Sequence, residues 1–311
     1  YNLFWKFAER CGAQFISFCV AIILARLLMP SDYGTIALAM VVITILQVFT
    51  DSGLGMALIQ KKNADALDFA SVFITNIAVS MILYLLIWCV APYVAEFYGD
   101  LELTLLIRVL SVSLLISGLR NVQQAYVSRN MLFKRFFYST MGASVLSAVV
   151  GIWMAYAGCG IWALVVQQLV NMGVGTVILW ITVPWRPQCI FSLERLNLLF
   201  SYGWKLLVSA LLDTGYNQMW QLIIGKAFTP TDLAFFNQGQ KFPNVIVTNI
   251  NASIDSVLLP TLSKVQDNEA DLKQWFEKNA GDFTLPDQLE YEYVVLRKFD
   301  LRSSIVPSND E

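Results

Sequence analysis

The chain contains no histidine among its 311 residues. It therefore lacks the side chain that most often moves protons and holds metals, which excludes Ser-His-Asp triads and most zinc chemistry. Charge is scarce as well. Only 14% of residues are charged while 57% are hydrophobic, against about 25% charge in a soluble globule. Too little polar surface remains to cover a water-soluble fold, so the chain reads as an integral membrane protein. Paired cysteines are also missing: Cys11, Cys19, Cys89, Cys159 and Cys189 stand singly, with no Cys-x-x-Cys, and read as small apolar side chains rather than ligands or disulfide partners. No metal, cofactor or nucleic-acid partner is expected. The net charge of -2 says little, because in a membrane protein the placement of charge matters more than its sum.

Long apolar runs are abundant. A membrane-spanning helix needs about 20 mostly apolar residues, and eight segments reach that length, at roughly 2–28, 35–59, 70–97, 103–127, 136–158, 161–183, 196–228 and 232–262. The predicted class is all-α and integral to a membrane, with eight transmembrane helices. None of the runs resembles a cleavable signal, since the first is too long and leads into further spans. The chain opens on Tyr1 rather than methionine, so a missing start is expected.

Orientation follows from Lys and Arg in the short loops. "QKKNADALD", "SRNMLFKRF", "PWRPQCIFSLERLN" and "SKVQDN" all carry cations, whereas "MPSD", "YGDLE", "AGCG" and "TPTD" carry none. The first set is expected on the cytoplasmic side, together with both termini. Trp88, Trp162, Trp180 and Trp185 fall near span ends, as an interfacial aromatic belt requires. The opposite loops have no room for a catalytic domain, so any activity lies between helices.

One phrase is written twice. "ARLLMPSDYG" (25–34) and "GKAFTPTDLA" (225–234) align Arg26 with Lys226, Pro30 with Pro230 and Asp32 with Asp232. Six spans separate the copies, so both fall on the same side of the membrane, as a parallel duplication predicts. Pro-x-Asp is also a common local way to end one helix and cap the next.

Polar residues inside the spans mark a cavity or pathway by default. Ser209, Asp213, Asn217 and Gln221 recur every four residues, and Asn237, Lys241, Asn244, Thr248, Asn251 and Asp255 step by three and four. Each set forms one helical stripe, and together they predict a wet central cavity. Hydrogen bonding between helices is the competing explanation, and it accounts poorly for Asp213, Lys241 and Asp255. Further charges inside spans are Glu9, Arg10, Asp51, Arg108 and Arg120. Glu9 and Arg10 point about 100° apart and are poor partners for each other. Gln47 and Asp51 lie one turn apart, and Arg120 clusters with Gln123 and Gln124. Arg26, Lys61, Lys62 and Arg120 are as readily explained by snorkelling to the interface. Arg108 is less so, since it sits about 8 Å inside its apolar run at 1.5 Å per residue. Pro243 is expected to bend the last stripe.

Three stretches, at 23–62, 124–135 and 236–267, resemble the polysaccharide-export, or oligosaccharide flippase, family of the multidrug/oligosaccharidyl-lipid/polysaccharide exporter superfamily. They run "ILARLLMPSDYGTIALAMVVITILQVFTDSGLGMALIQKK", "QAYVSRNMLFKR" and "FNQGQKFPNVIVTNINASIDSVLLPTLSKVQD". The resemblance covers roughly residues 1–267. It implies a transporter moving polyprenyl-pyrophosphate-linked oligosaccharide across a bacterial cytoplasmic membrane, by alternating access between two six-helix lobes. On this reading 1–190 is the first lobe, 191–264 the first two helices of an incomplete second lobe, and 265–311 a polar cytoplasmic tail outside the family pattern. A truncated or altered gene product is expected. Membrane lipid surrounds such a transporter, and a polysaccharide polymerase and glycosyltransferases are implied partners.

The resemblance also proposes roles. A diphosphate suits guanidinium groups, which bind it bidentately, so Arg10, Arg26 and Arg108 are candidate substrate cations, with Lys241 from the second stripe. Of the arginines, only Arg26 falls in a matching stretch. Glu9, Asp51, Asp213 and Asp255 are candidate carboxylates for a coupling proton or sodium ion. The amides and hydroxyls of the stripes suit sugar hydroxyls. Two further readings stay open: a drug or cation exporter of the same superfamily, and a fragment without activity. A membrane enzyme is not expected.

Overall fold

The structure is a computed structural model, and it describes residues 2–51, 53–61, 64–130, 132–187 and 190–240, with Lys273, Glu277 and Lys278 beyond them; the side chains of 2–8, 10, 56, 60, 198 and 202 fall outside the description. The chain divides into two units, 1–243 and 244–311. All helices described below belong to the first. In the second, Lys273, Glu277 and Lys278 are helical and exposed.

The described residues are helical and contain no strand. In chain order they form α1 (Asn2–Leu27), α2 (Pro30–Asp51), α3 (Leu54–Gln60), α4 (Ala66–Tyr98), α5 (Glu102–Leu110), α6 (Val112–Arg129), α7 (Phe133–Tyr156), α8 (Ile161–Thr182) and α9 (Leu193–Ala227). The backbone is helical again from 230 to 240. Five stretches are long and apolar enough to cross a membrane: α2, α4, α5 with α6, α7 and α8. In α1 the apolar part shortens to Cys11–Leu27, because Lys6, Glu9 and Arg10 occupy its first half. The 35-residue α9 has the length but carries Glu194, Arg195, Lys205, Asp213 and Lys226. Phe15, Ile82, Leu85, Val149, Trp153 and Ile181 stand exposed on the helices, as lipid-facing side chains do. The protein is therefore a multi-pass helical membrane protein.

The spans differ from the sequence expectation at three joints. The segment expected at 35–59 starts earlier, at Pro30, and breaks between Asp51 and Leu54 into α2 and α3. The break is satisfied from outside, since Asn121 Nδ2 donates to the Thr50 carbonyl, one of the acceptors a helix end leaves open. The segment expected at 103–127 is interrupted at Ser111, whose hydroxyl turns back onto the Arg108 carbonyl at 2.6 Å. Only 230–240 of the eighth expected span is described.

The duplicated phrase is duplicated in structure as well. Pro30 and Pro230 each open a helix, where proline's missing N–H costs nothing. The amide before each proline donates to the aspartate three residues on: Met29 N to Asp32 Oδ2 at 3.2 Å, and Thr229 N to Asp232 Oδ2 at 3.1 Å. In the second copy the Thr229 hydroxyl adds a bond to Asp232 at 2.6 Å. These donors hold the Asp232 carboxyl below the usual carboxylate range.

Packing runs as a chain of neighbours in which α1 lies on α7, α7 on α8, α8 on α6, and α6 on α2 and α4; α9 closes the set against α2, α3 and α4. The α1–α7–α8 layer is small-to-large, with Ala148, Ala155 and Ala163 between Val20, Leu24 and Leu164. A larger core joins Leu38 and Ile43 of α2 to Ile87 of α4, Leu106 and Ile107 of α5, Val165 of α8 and Leu233. The α7–α8 turn is tight because Gly158 and Gly160 adopt φ of +76° and +55°, which other residues resist.

Two backbone approaches are unusually close. A Cβ on Gly34 of α2 would overlap the carbonyl of Pro230, which opens the 230–240 helix, and one on Gly53, just before α3, would come within 2.9 Å of the Gly203 carbonyl of α9. At the Lys- and Arg-rich end a charged joint ties α3, α4 and α9 together. Asp65 caps α4 by accepting from Asp68 N at 3.1 Å, which holds its carboxyl below its ordinary value, while Asp68 Oδ2 accepts from Asp65 N at 3.2 Å. Lys61 Nζ reaches Asp68 Oδ2 at 2.6 Å, and Arg195 lies 3.7 Å from Asp65 and 3.9 Å from Asp68. Nearby, the Ser192 amide donates to Ser71 Oγ at 3.1 Å. At the other end of α9, Lys226 donates to the Phe97 carbonyl and sits 4.2 Å over the Phe97 ring.

Candidate functional site: a charged cavity among α1, α2 and α6

A cavity of about 350 Å³ opens where α1, α2, α3, α6 and α7 converge. Glu9 enters from α1, Asp51 from the end of α2, and Arg120 and Gln124 from α6, with Ser128 and Phe136 completing the polar and aromatic wall. Arg120 lies nine residues before the end of α6 at Arg129, about 13 Å along the axis at 1.5 Å per residue. Arg120 is thus set back from the helix end, and the cavity opens toward Ser128 in the last turn of α6 and Phe136 in the first turn of α7.

The local sequence explains the arrangement. Arg120 and Gln124 are one turn apart and share a face of α6. With the Gln124 amide turned oxygen-first, Oε1 accepts from Arg120 Nε at 3.0 Å and Nη2 at 3.2 Å. Glu9 is steadied by the Thr140 hydroxyl of α7, which donates to its Oε1 at 2.9 Å. Asp51 sits at the break that ends α2, where Thr50 Oγ1 is 3.5 Å from its Oδ1. The polar seam continues beside the cavity, since Gln47 Nε2 donates to Ser117 Oγ at 2.6 Å. Glu9, Asp51 and Arg120 interact electrostatically, and neither carboxylate closes an ion pair on Arg120. No cluster of metal-holding side chains occurs among the described residues.

The structure brings together two of the residues singled out from sequence, Glu9 and Asp51. The other candidates whose side chains are described lie elsewhere. Arg26 is exposed in the last turn of α1. Arg108 turns onto α4, where Nε and Nη2 donate to the Trp88 carbonyl at 3.3 and 3.2 Å and the guanidinium lies 4.7 Å from the Trp88 ring centroid. Ser209, Asp213 and Asn217 are exposed along α9 and Gln221 is half-buried. Asn237 is half-buried, and its Nδ2 has no partner among the described residues. The Arg10 side chain and Lys241, Asn244, Thr248, Asn251 and Asp255 lie outside the described residues.

Arg120 was legible only as part of a polar cluster with Gln123 and Gln124. Gln123 leaves that cluster, being fully buried and donating to the Trp185 carbonyl at 3.4 Å. The usable signal was the pair of four-residue steps, Gln47 to Asp51 and Arg120 to Gln124, on helices that pack together.

A family model described as "Polysaccharide biosynthesis protein" matches residues 23–281. The chain is 25% identical to the succinoglycan biosynthesis transport protein ExoT of Rhizobium meliloti over 264 residues, covering 85% of this chain and 53% of that protein. It is 24% identical to the teichuronic acid biosynthesis protein TuaB of Bacillus subtilis, covering 74% and 48%. It is 20% identical to the lipopolysaccharide biosynthesis protein WzxC of Escherichia coli, covering 82% and 52%. It thus spans about half the length of these relatives, and no solved structure matches it. With most of its length inside the matched region, the chain belongs to the polysaccharide biosynthesis protein family, the flippase group that its apolar segments resemble.

Proposed function

We propose that this chain forms part of a transporter that carries polyprenyl-pyrophosphate-linked oligosaccharide across the bacterial cytoplasmic membrane for surface polysaccharide synthesis. The observation that carries the reading is the cavity between the helices, with an arginine oriented by an amide. A guanidinium in a low-dielectric site is the group best matched to a diphosphate. The sugar portion would meet amides, hydroxyls and the Phe136 ring. A two-lobe alternating-access scheme assigns 1–190 to one lobe and the helices from 191 onward to the next. Eight spans complete this scheme, with Arg10, Arg26 and Lys241 as further cation positions. The full-length gene supplies the test. Its deletion is expected to remove surface polysaccharide and accumulate the lipid-linked intermediate on the cytoplasmic face, and unchanged polysaccharide overturns the reading.

Orientation has its own check. Cys159 is exposed in the α7–α8 turn, on the side expected to face outward. In a variant retaining only this cysteine, a membrane-impermeant maleimide is expected to label intact spheroplasts. Labelling only after permeabilisation reverses the assignment.

One observation favours a second reading. Two carboxylates face one arginine among the described cavity residues, a balance that suits an organic cation. Loss of drug efflux on deletion, with normal polysaccharide, selects that reading.

A further inference from the structure

The cavity holds its arginine in an unusual electrical setting. Gln124 occupies the Nε–Nη2 edge of Arg120, and Glu9 and Asp51 approach from two other helices without closing an ion pair on the guanidinium. Glu9 is held in place by Thr140, so its carboxyl is a fixed part of the wall. Arginines taken out of water are ordinarily paired at contact distance or bonded to carbonyls, and even the half-buried Arg108 is bonded to the Trp88 carbonyl. Arg120 is oriented, unpaired by carboxylate at contact distance, and faces open volume.

A site for a carried ligand must bind it strongly enough to load and weakly enough to let go. A diphosphate brought to Arg120 meets attraction from the guanidinium and repulsion from two carboxylates at once. We infer that Glu9 and Asp51 act as affinity-limiting groups, fixing how tightly Arg120 holds a phosphate-bearing ligand and so allowing its release. The inference rests on the transport reading above. It gives the carboxylates a role that does not require them to carry an ion, and it explains why acidic residues line a cavity whose ligand is anionic. Neutralising either one leaves the arginine with less opposition and strengthens binding. Tighter binding in a carrier slows the release step, so affinity rises while transport falls.

The test uses the full-length protein in nanodiscs, with inorganic pyrophosphate as the probe in titration calorimetry. Glu9→Gln and Asp51→Asn are each expected to tighten binding about tenfold, the order of effect that removing one nearby charge has at intermediate dielectric. Arg120→Gln is expected to abolish binding. In a deletion strain, the two carboxylate variants are expected to restore less polysaccharide than the wild type despite equal membrane abundance. Where an amide variant fails to give monodisperse protein, Glu9→Ser and Asp51→Ser serve in its place. Pyrophosphate binding that the carboxylate variants leave unchanged or weaken overturns the inference while leaving the transport reading intact. Absence of binding in the wild type and in every carboxylate variant, with normal polysaccharide after deletion, overturns both.

Discussion

Asp68→Ala is expected to destabilise the full-length protein by about 3 kcal/mol, the cost typical of removing one partner from a buried charge pair. The purified protein will show a lowered thermal midpoint, and membranes will contain less of it. Asp68 is 0% exposed and Lys61 24%, so the loss strands an ammonium that water reaches poorly. The same carboxylate also accepts from the Asp65 amide and lies 3.9 Å from Arg195. Three segments therefore lose a common anchor at once. Asp65→Ala removes an exposed helix cap and is expected to cost about 1 kcal/mol. Equal effects at the two positions would show that the joint behaves as an ordinary surface cap.

Gly34→Ala is expected to disrupt the contact between α2 and the helix that opens at Pro230 by about 3 kcal/mol, at the upper end for overpacking. The new Cβ would overlap the Pro230 carbonyl, and a backbone carbonyl cannot rotate away as a side chain can. Gly215→Ala in α9 is the internal control, because a Cβ there meets nothing within 4 Å. It is expected to be neutral or slightly stabilising, since alanine favours helix over glycine by about 1 kcal/mol. Thermal midpoints of both variants, measured on the same full-length protein, decide the matter. A Gly34→Ala protein as stable as the wild type would mean that α2 and Pro230 do not approach as described.

The contrast between these glycines shows what a sequence can and cannot disclose. Gly34 and Gly215 look alike in the chain, as each interrupts an apolar helix. Only the approach of Pro230 to Gly34, from nearly two hundred positions away, distinguishes them. Local grammar was read more successfully. The Pro-x-Asp phrase was legible because proline and a capping aspartate act within one turn, and both copies form the same hydrogen bond. The end of α2 at Asp51 was not, because the apolar run continues past it and the group that stabilises it, Asn121, comes from another helix.

The same distinction governs the site. Glu9 and Asp51 were legible because a carboxylate in an apolar run is costly wherever it points. Arg120 was not separable from a snorkelling arginine, since its long stem allows either fate; the approach of α1 and α2 decides it. Arg108 carried the opposite lesson. Its depth suggested a cavity, yet a carbonyl and an indole on the adjacent α4 satisfy it.

Helix length has a consequence for the lipid around the protein. At 1.5 Å per residue, the 33-residue α4 and 35-residue α9 extend about 50 Å, whereas the 22-residue α2 and α8 extend about 33 Å. Even a tilt of about 40°, the upper end for membrane helices, leaves α4 projecting about 38 Å, against a hydrocarbon core of about 30 Å. The surplus of α4 therefore reaches past the acyl chains into the headgroup layer, where its Asp65 cap and the Asp68 turn meet no hydrocarbon.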